Sequence, residues 1–143
     1  MSSVAPIPSE WCDAVIKVLK RGDPKECRWS FRARQDWQQF GMLPDAYERL
    51  IGVLSQREVW GEAIIGMDPL PKGPRGEEQA VYAFLCPHPF SNYIHLYAKI
   101  GLFDNQLCLD VFSLHNDNTD KLRNQIAAAK KKSKAAKNKT RKP

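Results

Sequence analysis

Tyr93-Ile94-His95-Leu96-Tyr97-Ala98-Lys99-Ile100 is the stretch on which the fold turns. Apolar and polar residues alternate strictly along it, and a strand sends successive side chains to opposite faces. Ile94, Leu96, Ala98 and Ile100 are therefore predicted to close a core. Tyr93, His95, Tyr97 and Lys99 share the other face, which gathers two phenols, an imidazole and an ammonium. Such groups suit holding a phosphate and moving protons. After a short turn at Phe103-Asp104-Asn105, a second strand over Gln106 to Leu114 delivers His115 at its end.

Working outward, Gln79 to Cys86 and Glu58 to Gly66 also read as strands, with a Pro/Gly-rich loop over Met67 to Gly76 and a turn at Pro87-His88-Pro89. Before them, Trp11, Ala14, Val15, Val18 and Leu19 recur at helical spacing, with Ser9 as a cap and Gly22 as a stop. Cys27 to Phe31 is a short strand or an extended link. Ala33 to Phe40 reads as a short helix closed by Gly41. Pro44, Ala46, Tyr47, Leu50, Ile51 and Leu54 mark another amphipathic helix. Consecutive strands with short links predict an α+β domain, an antiparallel sheet of about three to five strands with the N-terminal helices packed on one face.

The chain of 143 residues has a formal charge of +6, unevenly spread. Ten of its 22 Lys and Arg lie between Lys121 and Pro143, where Asp and Glu are absent; the preceding 120 residues hold 12 basic against 16 acidic side chains, a net of −4. The basic character thus belongs to the tail. The predicted organisation is a flexible arm over 1–8, the α+β domain over 9–117 and a basic, disordered tail over 118–143, within which Lys121 to Ala129 could make a helix before the low-complexity run from Lys130 to Pro143. Cys12, Cys27, Cys86 and Cys108 lack the spacing of a zinc or redox motif, so no metal or cofactor is expected. With no basic-then-apolar leader and no run of ~18 apolar residues, a cytoplasmic protein without a membrane partner is expected.

Several strings, in order, resemble the MqsR family of toxin–antitoxin ribonucleases, which have a RelE-like fold. They are Val18-Leu19-Lys20-Arg21-Gly22, Phe40-Gly41-Met42-Leu43, Leu54-Ser55 before Glu58-Val59-Trp60, Gln79-Ala80-Val81-Tyr82, Tyr97-Ala98-Lys99-Ile100 and Ser113-Leu114-His115. The likeness runs from about Val15 to His115. It implies an endoribonuclease toxin that cleaves mRNA by metal-free acid–base chemistry and is neutralised by an antitoxin protein, with the ribosome as a further partner left open. Gln79 and Tyr97 match catalytic positions of the family, and His115 stands where its last lysine falls. Another lysine, expected near Trp60-Gly61, is replaced by Gly61.

On this reading His115 shuttles a proton, Tyr97 orients the scissile phosphate or donates to it, Lys99 or Arg32 neutralises it, and Gln79 positions it. Arg32, Arg34, Lys130, Lys131, Lys132 and Lys134 are the candidate RNA-binding cations. Plainer readings stand beside these. His95 reads first as an ordinary strand histidine, His88 as part of a turn, and Arg28, Arg32 and Arg34 equally as a solvated edge. The four tryptophans fit core packing better than base stacking. The alternative function is a non-catalytic protein- or nucleic-acid-binding module, of phage or mobile-element type, in which Gly61 marks lost chemistry.

Overall fold

The computed structural model describes residues 3–64, 80–103, 108–117 and 119–140. Along the chain run β1 (Ser3–Pro6), α1 (Ser9–Arg21), β2 (Cys27–Trp29), α2 (Phe31–Trp37), α3 (Leu43–Leu54), β3 (Trp60–Ile64), β4 (Ala80–Pro87), β5 (His95–Phe103), β6 (Cys108–Asn116) and α4 (Lys121–Thr140). The protein is α+β. Its sheet has six strands in the order β1-β3-β4-β5-β6-β2. All neighbours are antiparallel except β2 and β6, which run parallel. The sheet is thus larger than its sequence suggests, and mixed.

The alternation in β5 does what its periodicity predicts from His95 onward: Leu96, Ala98 and Ile100 are fully buried. Burying a Leu or Ile side chain stabilises by about 1.5–3 kcal/mol. Tyr93 and Ile94 precede the strand, so Ile94, expected in the core, is instead 41% exposed, and Tyr93 stays 90% exposed. Facing the same core are Phe84 and Cys86 of β4, Leu109, Val111 and Leu114 of β6, and the apolar sides of α1, α2 and α3. Trp11 bridges helix and sheet, its indole N–H donating to Ala80 O at 2.9 Å. Gly22 ends α1 in the left-handed region at φ 62°, and its N–H reaches Val18 O.

Leu109, Val111 and Leu114 cannot all share one face of an uninterrupted strand, because Leu114 is out of phase. The ladder resolves this with a bulge. Lys99 pairs with Ser113 and Ile100 with Val111, leaving Phe112 as the extra residue. Ser30 secures the bulged segment. Its N–H donates to Val111 O (3.0 Å), its hydroxyl donates to Phe112 O (3.0 Å), and its Oγ accepts from Ala33 N–H at the start of α2 (3.0 Å).

Several expectations are corrected. The supposed loose arm contributes β1, which pairs with β3 and so satisfies its backbone groups. Ser9 is the first helical residue rather than a side-chain cap, with Pro8 before it. The second helix spans Phe31–Trp37 rather than Ala33 to Phe40, because Ser30 caps it earlier. The tail read as disordered, with a helix possible only over Lys121 to Ala129, forms α4 as far as Thr140. Its Lys/Ala-rich composition has high helix propensity, and Leu122 and Ile126 anchor it on the sheet face opposite the main core. There they meet Ala83, Val4, Trp60, Ile64, Leu85 and Tyr97. The loop over Met67 to Gly76 lies outside the described residues.

Gly61 has a packing role. A Cβ there would strike the carbonyl oxygen of Ala83 and come within 2.6 Å of Ile7 Cδ1. A lysine at this position would have to enter the main core. Gly61→Ala is expected to destabilise the protein by about 1–3 kcal/mol, read as a lower denaturation midpoint in urea. An unchanged midpoint would contradict the close approach.

Candidate functional site

The sheet face opposite the main core is only partly covered. α4 crosses it over β4 and β3 to β1, while β5, β6 and β2 carry polar side chains on the remainder. The β5–β6 register sets Tyr97 directly opposite His115. Their rings stack, with centroids 5.5 Å apart and planes 24° from parallel. Lys99 follows on the same face, opposite Ser113, and its ammonium lies 5.8 Å from the centre of the Phe112 ring. The bulged residue thus helps hold the cation on this face. His115 is the penultimate residue of β6, inside the strand rather than past its end.

His115 Nδ1 lies 2.9 Å from Asn116 O. A carbonyl only accepts, so Nδ1 bears the proton in the neutral ring and Nε2 presents a lone pair. The Tyr97 phenol is pushed above its ordinary value, first by burial, then by the negative charges of Glu62 and Asp117. It is therefore a proton donor at neutral pH, not a base. Asp117 is 9% exposed. Its N–H donates to His95 O (2.8 Å), and its Oδ2 is buried with no partner among the described residues. His95 sits beside Tyr97 on the same strand face. A stacked phenol and imidazole with a nearby ammonium can bind a phosphate and transfer a proton across it, while the Asp117 carboxylate acts on the phenol and would repel the anion.

Gln79 lies outside the described residues. Ala80, which follows it in sequence, pairs with Leu102, about 17 Å along β5 from Tyr97. Arg32 and Arg34 are exposed on α2, whose buried residues join the core on the other side of the sheet. They do not approach Tyr97, and the stripe expected with Arg28 does not form. Arg28 lies on β2 and pairs with Asp110 through two hydrogen bonds of 2.6 and 2.8 Å. Lys130, Lys131, Lys132 and Lys134 are exposed on α4, with Lys130 and Lys134 beside Trp60.

Sequence reasoning missed Glu62, Phe112 and Asp117. Asp117 read as the edge of a tail; Glu62 reaches Tyr97 only through two strand pairings, β3 with β4 and β4 with β5. Among the described residues no group of three or more His, Cys, Asp or Glu can hold a metal ion. Burial pushes the Cys12 thiol up to about 11 and the Cys86 thiol up to about 12, so both stay protonated and unreactive at neutral pH. No described helix is long and apolar enough to cross a membrane. Compared with protein-family models, curated proteins and solved structures, the chain matches none of them.

Because burial is the main cause of the raised Tyr97 value, loosening α4 has a direct readout. Leu122→Ser with Ile126→Ser is expected to move the phenol back toward its ordinary value of 10.0, seen as phenolate absorbance after subtracting the matching Tyr97→Phe protein. An identical titration in the double variant would show that α4 does not desolvate Tyr97.

Proposed function

We propose that the protein is a metal-independent endoribonuclease of the MqsR type, with a RelE-like fold, that cleaves mRNA and is neutralised by an antitoxin protein. The observation that carries this reading is the stacked Tyr97–His115 pair with Lys99 two residues along the same strand. His115 Nε2 accepts the proton of a ribose 2′-hydroxyl. The resulting oxygen forms a bond to the adjacent phosphorus, the bond from phosphorus to the 5′-oxygen breaks, and the proton held by the imidazole passes to that departing oxygen. Tyr97 donates a hydrogen bond to a phosphate oxygen, and Lys99 offsets the charge that gathers there.

The RelE-like arrangement is supported by N-terminal helices on one face of the antiparallel run β3-β4-β5-β6. The antitoxin rests on the ordered strings shared with the family. The cation expected near Trp60-Gly61 has no room at position 61, and Lys99 takes over its electrostatic role. The glycine is therefore a packing requirement and gives no support to a module that has lost its chemistry.

His115→Ala is expected to slow single-turnover cleavage of a labelled RNA by about 10²–10⁴-fold. Tyr97→Phe and Lys99→Ala each slow it by about 10²-fold or more, with circular dichroism unchanged. Cleavage by His115→Ala at the wild-type rate would refute the assignment.

A further inference from the structure

A second feature lies further along α4, about its middle, away from Tyr97. A cavity of about 280 Å³ is lined by Glu58, Trp60, Lys130, Ser133 and Lys134. Lys130, Ser133 and Lys134 occur at i, i+3 and i+4, so one face of α4 presents two ammoniums and a hydroxyl to the start of β3. Trp60 forms part of the opposite wall. Its indole is half-buried against the cluster that includes Leu122 and Ile126, so the ring is held while part of it meets the cavity. Among the described residues, neither lysine forms an ion pair with Glu58 or any other carboxylate.

From this we infer that the cavity is a binding site for one nucleotide unit of a single-stranded nucleic acid. The base stacks on Trp60, the phosphate sits between Lys130 and Lys134 with the Ser133 hydroxyl donating to it, and Glu58 accepts from an amino group on the base edge. Two cations one helical turn apart match a phosphate. An aromatic plane beside them matches the base. The carboxylate would repel a bare anion, but it rewards a base carrying an N–H₂ donor. Adenine, cytosine and guanine carry one; uracil does not. The site rests on the ribonuclease reading only for the identity of the strand. It gives the basic C-terminal helix a defined contact in place of diffuse attraction.

The test titrates the full chain with CMP, UMP and the eight-residue oligonucleotide rC8 while following tryptophan fluorescence. Trp11 and Trp37 are buried in the core and Trp29 is half-buried against it, so the Trp60→Phe variant assigns the quenching by a stacked base to Trp60. CMP and rC8 are expected to quench, UMP to bind several-fold more weakly, and Glu58→Gln to abolish that preference. In Lys130→Ala with Lys134→Ala, rC8 affinity falls about tenfold or more and the slope of log affinity against log salt lessens by about 1.4. Tighter binding of rC8 than of CMP marks a strand as the natural ligand, and equal binding marks a free nucleotide. Quenching that persists in Trp60→Phe, or an unchanged salt slope in the lysine variant, overturns the site. RNA cleavage without quenching overturns this site and leaves the nuclease reading standing. Quenching without cleavage supports this site and removes the nuclease reading.

Discussion

The pairing of two residues of β6 against one of β5, at Phe112, is the constraint on which the rest of the structure depends. A strand's faces alternate with period two, so one inserted residue exchanges faces for everything beyond it. With the bulge, Leu109, Val111 and Leu114 all reach the main core, while Ser113 and His115 stay on the opposite face. Without it, Leu109 and Val111 would turn outward and Asp110 inward, or Leu114 would be expelled and His115 buried. The cost of interrupting the ladder is offset locally, because Ser30 binds the carbonyls of both Val111 and Phe112. Core packing and the placing of His115 beside Tyr97 are therefore one structural decision.

The outer face is divided by α4 into two environments. Near the start of the helix, Leu122 and Ile126 dry one side of Tyr97, and Glu62 and Asp117 add negative charge. Both effects hold the phenol's proton in place. Further along, the same helix turns its lysines toward Trp60. One amphipathic segment thus shields a proton donor with its first turns and presents cations with its later ones.

Much of this was legible in the residues. The strict alternation from His95 to Ile100 gave both faces of β5, and helical spacing located α1 and α3. The odd interval from Val111 to Leu114 was itself the mark of the bulge, although a reading confined to period two passes over it. Pairings distant in sequence were not legible. β1 lacks any periodic pattern and is defined only by its partner β3, while the parallel β2–β6 contact joins segments about 80 residues apart. α4 was obscured by composition, since lysine and alanine runs fit disorder and helix alike until two apolar residues find a surface. At the site, the shared face of Tyr97 and Lys99 followed from alternation, whereas His115 was marked by its place at the end of the second strand and by the family resemblance. Asp117 and Glu62 were not marked, because their roles come from tertiary neighbours.

The central claim is that a phenol, an imidazole and an ammonium on this face cleave RNA by moving protons. Its most direct measurement is the phosphorus-31 spectrum of RNA incubated with the purified protein and a metal chelator. Attack by the neighbouring 2′-oxygen predicts 2′,3′-cyclic phosphate ends that form with the wild type and not with His115→Ala. Intact RNA, or products ending in 5′-phosphate and 3′-hydroxyl groups, would contradict it.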